Sequence, residues 1–396
     1  MFDRRPKWAY SLPIALVLMA PFDLLASLAM DIYLPAVPVM PAELGTSPEV
    51  VQLTLSLYLL GLGLGQILFG PLSDRIGRRP VVLGGAAVFA LASAVLAMTS
   101  EPAPFVALRL AQALGASAAL VATFATVRDV YAERPESTTI YGLFSSMLAF
   151  VPALAPILGA LVAELGGWRA IFWLLSLVTL PPLIHAGLRW HETRPEHAVT
   201  SRSPLPILKH RPFWFYTAAF GTAMGTFFVF FSTAPRILIE RAGYTELQFS
   251  VAFASAALVM VATARFAKRF SESWGIDGSI ARGMALIFVG AMSLALGSTL
   301  LDPGFISIIL PMWVMAVGIV FTVSVTPNGA LAPFDDRAGL AVAIYFAGQS
   351  VIVAVLGTAT VVIFSGNTAW PLVAFGTLLP ATMLVALRIK LRSVDT

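Results

Sequence analysis

The chain has no cysteine, only four histidines in 396 residues, and a charged fraction of just 12%. Each shortage excludes something. Without cysteine there is neither a disulfide nor a thiolate metal site. His185, His191 and His197 recur at intervals of six, but such steps do not share a helix face, and HETRPEH is not H-E-x-x-H. That stretch reads as a solvated basic loop, and no metal site is expected. Soluble domains are about 25% charged, so a chain that is 58% hydrophobic with a mean hydropathy of +0.85 is not one of them. The alternating segments of about ten residues that build a transmembrane β-barrel are missing too. So are G-x-S-x-G and any carboxylate pair at catalytic spacing, which leaves an intramembrane enzyme without its chemistry. No ring of pore-lining residues supports a channel.

What the sequence does have is apolar length. Runs of about 18 residues or more, each enough to cross a hydrocarbon core, recur throughout. Twelve spans are expected, near 12–34, 51–70, 81–99, 103–126, 138–161, 168–187, 213–235, 247–266, 279–300, 304–326, 340–364 and 368–388. The turn between the seventh and eighth is crowded by Arg236, Glu240 and Arg241. The N-terminus, MFDRRPKWAY, is basic like a signal peptide. The apolar stretch behind it is too long, holds two aspartates and has no small-residue cleavage site, so it reads as an uncleaved first span.

Basic residues orient the spans. Of the 25 lysines and arginines, 21 fall on the side of the N-terminus, from Arg4, Arg5 and Lys7 to Arg388, Lys390 and Arg392. Arg169, Arg236 and Arg241 lie opposite, and Arg109 lies within a span. The asymmetry predicts that both termini are cytoplasmic. The longest polar break, 189–212, divides the chain into six-span halves, 1–188 and 213–396, as expected of a pseudo-symmetric carrier with a central site.

GPLSDRIGRRP, residues 70–80, joins the second and third spans and fits G-x-x-x-D-R-x-G-R-R through Gly70, Asp74, Arg75, Gly77, Arg78 and Arg79. Gly70 would allow close helix approach, Gly77 a tight turn, and Asp74 could pair with basic groups or cap a helix start. A degraded echo, ARFAKRFSESWG at 264–275, keeps the basic cluster without the D-R-x-G core. In the fourth span Arg109, Gln112 and Gly115 form R-x-x-Q-x-x-G. In the fifth, VPALAPILGA fits G-x-x-x-G-P-x-x-G-G at Pro156 and Gly159 but has Val151, Ala155 and Ala160 where that pattern has glycine. An arginine inside an apolar span needs a partner or a wet cavity.

Together these motifs, with MAPFDLLASLAMDIYLP, VQLTLSLY, LVATFATVRDVYA, FFVFFSTAP and TAWP, resemble the major facilitator superfamily. Within it the likeness is to the twelve-span drug:proton antiporters of the bicyclomycin/chloramphenicol-resistance group, and to chloramphenicol/florfenicol exporters. The resemblance implies an all-α polytopic membrane protein of two six-helix bundles in the bacterial inner membrane. It would export amphenicols against protons without a cofactor, as a monomer, with a small amphiphilic drug, protons and the bilayer as partners and no nucleic acid. A broader multidrug exporter or a metabolite carrier is the alternative, although the spans are short of the Asn, Gln and Glu that a sugar site needs. The 70–80 loop would be a conformational latch.

The first span carries Asp23 and Asp31, each costing about 2.5–3.5 kcal/mol at mid-helix on insertion scales. Eight residues apart, they are separated by about 12 Å along the helix and about 80° around it. Ser27 and Met30 lie within about 40° of Asp23's face, so one side of this helix can be polar while its back stays in lipid. The resemblance makes the two aspartates proton and substrate residues. Burial favours a protonated carboxyl and a nearby cation favours the charged one. On that logic Asp23 would load and release the proton with Arg109 as its modulator. Asp31, close to Tyr33 and Pro35, is expected nearer the outer interface. Tyr33, Met147, Phe227, Phe231, Tyr345 and Gln349 are further candidates for the substrate cavity.

Overall fold

The computed structural model describes residue 8, residues 10–131, residue 134, residues 136–194 and residues 203–392. Arg4, Arg5, Lys7, His197 and Arg202 therefore lie outside the described residues, as does the middle of the 189–212 break. Ten of the described helices are long and apolar enough to cross a membrane. Two of these run 54 and 55 residues, and each is broken by glycine: Glu136–Arg189 at Gly166 and Gly167, Glu246–Leu300 at Gly275. The breaks separate the fifth span from the sixth and the eighth from the ninth.

The spans are α1 Leu12–Asp31, α2 Pro48–Ile76, α3 Arg78–Met98, α4 Pro102–Tyr131, α5 (136–165) and α6 (168–189). In the second half they are α7 Arg211–Pro235, α8 (246–274), α9 (276–300), α10 Leu310–Val323 with the π-helical turn Phe305–Ile309 ahead of it, α11 Ala338–Ile352 continued through the π-helical turn Val353–Gly357 and Thr358–Ile363, and α12 Trp370–Arg392. Local chemistry starts several of them. Proline occupies the first turn of α1, α2 and α7, where its missing N–H is not needed. Thr245 and Gln248 form a capping box at α8.

Two boundaries differ from expectation for physical reasons. Residues 70–76 are the last turns of α2 rather than a loop, leaving Gly77 as the single hinge before α3. α7 continues through a π-helical turn, Arg236–Arg241, so the residues that crowd the seventh boundary belong to the helix.

In lipid there is no hydrophobic gain from pressing apolar helices together, so association relies on close packing of small residues. Gly85 of α3 faces Gly115 of α4, and a Cβ on either would come within 2.7 Å of the other's carbonyl oxygen. Gly283 of α9 and Gly318 of α10 face each other in the same manner. The two crossings stand at corresponding places in the halves. Across the halves, α2 packs on α11, with Gly63 against Ser350 and a hydroxyl–hydroxyl hydrogen bond between Ser56 and Thr358. On the other flank the Ser250 hydroxyl of α8 donates to the Pro156 carbonyl of α5 (3.0 Å).

The helices differ in what they show to the outside. α3, α6, α9 and α12 present rows of exposed apolar side chains, among them Leu91, Leu177, Leu296 and Val385. On α1 no residue after Val17 is exposed, and on α7 none between Trp214 and Glu240. These two helices are enclosed by protein. The expectation that the back of the first span faces lipid therefore fails beyond its first turns.

Candidate functional site

Asp23 lies in the enclosed part of α1, fully buried, and neither carboxyl oxygen has a hydrogen-bond partner among the described residues. Asp31 ends the same helix and is also buried, at 5% exposure. It was expected near the interface. The chain instead turns inward after it: Ile32 to Val37 are all buried, and Leu34–Ala36 forms a short 3-10 turn. Gly159 of α5 is what lets this turn sit so deep, since any side chain there would strike the Ile32 carbonyl oxygen. That contact accounts for the glycine that the fifth span retains at 159.

Arg109 is fully buried on α4. Its guanidinium carbon lies 4.4 Å from the ring centres of both Tyr33 and Tyr58, and 5.8 Å from that of Phe172. One terminal nitrogen donates to Gln112 Oε1 and to the Ala29 carbonyl (3.3 Å). Gln112 passes the chain on to Ser93 Oγ (2.7 Å). A desolvated cation between aromatic faces gains about 2 kcal/mol or more per favourable ring, so this cage fixes the charge in place.

The cage places Arg109 apart from Asp23. Nε and Nη2 of Arg109 have no described partner, and Asp23 has none, so the two do not bond to each other. Ala29, the α1 carbonyl that Arg109 reaches, stands about 9 Å along the helix from Asp23 but only about 3 Å from Asp31. Arg109 is thus at the level of Asp31. Tyr33, expected in the substrate cavity, is instead a wall of the cage, its hydroxyl bonded to Thr54 (3.0 Å). Tyr58 was not singled out from the sequence. Its hydroxyl donates to the Ala26 carbonyl (2.9 Å), between the two aspartates.

Ser27, Met30 and Met147 are half-buried. Phe227 and Phe231 stand 5.9 Å apart within an aromatic cluster that includes Phe228, Phe230 and Phe253, joining α7 to α8. Tyr345 is fully buried, packed on Phe213 and Phe220, and donates to Thr326 Oγ1 (3.1 Å). Gln349 donates to its neighbour Ser350 (2.9 Å).

The 70–80 motif closes on partners that its own spacing does not reveal. Arg78 is buried and forms ion pairs with Asp74 (2.5 Å) and with Asp129 at the foot of α4 (2.8 Å), while also donating to Ser73 (2.7 Å). Asp74 does not cap α3. That role belongs to Glu192, whose carboxylate accepts from the backbone N–H groups of Arg78 (2.8 Å) and Arg79 (3.2 Å). Gly77, at φ +110°, leaves the room that this carboxylate fills. Arg79 donates to the Gly187 carbonyl, and Arg194 to that of Arg75. The described start of the 189–212 break is therefore docked on the motif rather than solvated. Gly70 is the exception among the motif positions: a Cβ there would meet nothing within 4 Å, so it makes no close helix approach.

In the echo, Gly275 has φ +67° and Lys268–Glu272 is an exposed pair. The stronger contact lies just beyond, where Asp277 accepts from Lys390 of α12 (2.8 Å) and from Tyr216 of α7 (3.2 Å).

Residues 22–358 match the Major Facilitator Superfamily. The chain is 48% identical to a chloramphenicol resistance protein of Pseudomonas aeruginosa over 95% of its own length and 90% of that protein's. It is 28% identical to a bicyclomycin resistance protein homolog of Haemophilus influenzae, covering 80% and 79%. Among solved structures, a POT family transporter in complex with 5-aminolevulinic acid superposes with a TM-score of 0.74 at 12% identity, covering 98% and 97%. The protein belongs to the Major Facilitator Superfamily: it is a multi-pass membrane transporter, not an enzyme.

Proposed function

We propose that this protein is a proton-coupled exporter of amphenicol antibiotics such as chloramphenicol and florfenicol. The observation that carries the coupling is Asp23, a fully buried carboxyl on a helix enclosed by protein, bonded to no described group. A carboxyl so placed is stable when protonated and costly when charged, so its proton is exchanged only when water reaches it from one side or the other. Arg109 supplies a fixed positive charge about two turns away along α1 and one rung from Asp31. We assign the proton chiefly to Asp23, with Asp31 and Arg109 setting the field it works against. The export direction and the drug class are supported by the similarity to the Pseudomonas chloramphenicol resistance protein.

The halves meet at 189–212, both termini are cytoplasmic, and the proton gradient replaces any cofactor. A single chain performs the cycle. The latch formed by Asp74, Arg78, Asp129 and Glu192 governs exchange between states rather than drug contact.

Expression in a drug-sensitive host tests the substrate class. Chloramphenicol and florfenicol resistance that disappears when the proton gradient is collapsed is the expected result. Unchanged drug sensitivity at confirmed membrane expression would move the reading to a metabolite carrier.

A further inference from the structure

The aromatic residues ahead of α1 are not needed for anything described so far, yet they are bound tightly. Trp8 is only 7% exposed although it precedes the first span. Its indole N–H donates to the Tyr131 hydroxyl at the foot of α4 (3.0 Å), and its ring meets Trp190 edge-on at 5.4 Å. Tyr10 donates to the Arg189 carbonyl at the end of α6 and lies flat on His191, 5.6 Å away with 5° between the planes. Trp190 in turn stands edge-on against Phe22 at 5.8 Å. Phe22 is the neighbour of Asp23 in the chain and, like it, is fully buried.

A continuous stack thus runs Tyr10, Trp8, Trp190, Phe22, and ends one residue from the candidate proton site. It ties together the start of α1, the foot of α4 and the exit of α6. α1 changes character just ahead of Phe22, where the stack meets it: Pro13, Ile14 and Val17 are exposed, and no later residue of the helix is. Rings that interlock edge-to-face leave little room for water; the polar tips of Trp8 and Tyr10 are engaged by Tyr131 and Arg189, while the buried Trp190 N–H has no described partner.

We infer that Trp8 and Tyr10 form a strap that seals the foot of α1, so that water and protons from that end reach Asp23 only from between the two halves and never along the helix. The strap makes every proton entering from the cytoplasm, in the orientation proposed above, pass between the halves. This rests on the coupling role proposed for Asp23. Transporters of this kind waste the gradient if the acid has a second, ungated route to the same compartment.

The test uses Trp8→Ala, with Trp8→Phe as the milder variant that keeps a ring but loses the N–H. Amide hydrogen exchange over residues 15–26 in detergent reports solvent entry independently of transport. Drug-free proton leak into proteoliposomes under an imposed pH gradient reports the seal. Faster exchange together with a leak several-fold above the parental protein is expected for Trp8→Ala, with Trp8→Phe between the two. Unchanged exchange overturns the proposal, as does faster exchange with no leak, which would make the strap mere scaffolding. Adding Asp23→Asn to Trp8→Ala separates the two readings. Loss of the leak supports both, whereas a leak that persists leaves the seal standing and removes Asp23 from the proton path.

Discussion

α1 and α7 occupy matching places, each the first span of its half and each enclosed by the rest of the protein, yet they are built from opposite materials. α1 holds two buried carboxyls. α7 holds hydroxyls that satisfy themselves: Thr226, Ser232 and Thr233 all donate to carbonyls of their own helix. The contrast extends to the halves. The buried charged residues among those described are Asp23, Asp31, Arg78 and Arg109, with the side chain of Asp129 beside Arg78, and all belong to the first half. The second half buries serine, threonine and glutamine with a dense aromatic cluster. Charge in the hydrocarbon is expensive wherever it is placed, so one half bears most of that cost, and on the function proposed above titration would be confined there.

The largest effect should come from breaking that asymmetry at its centre. Asp23→Asn keeps size and hydrogen bonding but cannot release a proton, so export in inverted vesicles under an imposed pH gradient should fall to the gradient-free level. Neutral drug should still bind. Arg109→Ala should fail as well, because it empties the Tyr33–Tyr58 cage as well as removing the charge. On the other side, Thr226→Val should export nearly as well as the parent, since its hydroxyl serves only its own helix. Equal collapse in Thr226→Val and Asp23→Asn would erase the distinction between the halves.

Second comes the latch against its echo. Asp129 is the buried partner of Arg78, at 5% side-chain exposure, whereas Asp74 is 54% exposed. Removing the buried carboxylate leaves Arg78 with only the half-exposed Asp74, so the cost moves toward that of breaking a buried pair, about 3–5 kcal/mol. Losing the half-exposed partner lies closer to the loss of a surface pair, about 0.2–1 kcal/mol. Asp129→Asn should therefore lower thermal stability in detergent markedly, while Asp74→Asn should insert and bind drug with near-parental stability but export poorly. Asp277→Asn in the second half should impair export least of the three. A ranking with Asp277 first would make the echo the working latch.

How much of this was legible follows from how far apart the partners are in the chain. Span positions, the hinge at Gly77 and the burial of Asp23 follow from local composition and spacing. Asp129 and Glu192 stand 51 and 114 residues from Arg78, and no periodicity joins them. HETR looked like solvent-facing polarity because its role is to cap a helix that the sequence places in another segment. Arg109 was recognisable as needing a partner. That two tyrosine faces would flank it, and that it would stand level with Asp31, depends on how α1, α2 and α4 cross. Asp31 appeared interfacial by counting along the helix, but the inward turn at Ile32 depends on Gly159 of a distant span.

A third effect, intermediate in size, concerns the seam where the halves meet. The absence of native cysteine gives a clean background for Ser56→Cys with Thr358→Cys. Their hydroxyls are in hydrogen-bond contact, so oxidation should join α2 to α11 and stop export, and a reductant should restore it. Export that continues after complete cross-linking would mean that this seam does not part during the cycle.

The smallest effects separate two glycines that the sequence motifs treat alike. At Gly159 a methyl group would be driven into the Ile32 carbonyl, a backbone atom that cannot swing aside. Gly159→Ala should therefore push the turn after Asp31 outward and reduce both expression and export. Gly70 lies inside α2 with nothing near its missing side chain. An alanine there meets no obstacle, and in a helix interior it is favoured over glycine by about 1 kcal/mol. Gly70→Ala should keep parental export and melt at the same temperature or slightly higher. A clear loss of export in Gly70→Ala, at equal expression, would show that α2 must approach another helix at this point in a state other than the one described, and the latch would then include Gly70 as a moving contact.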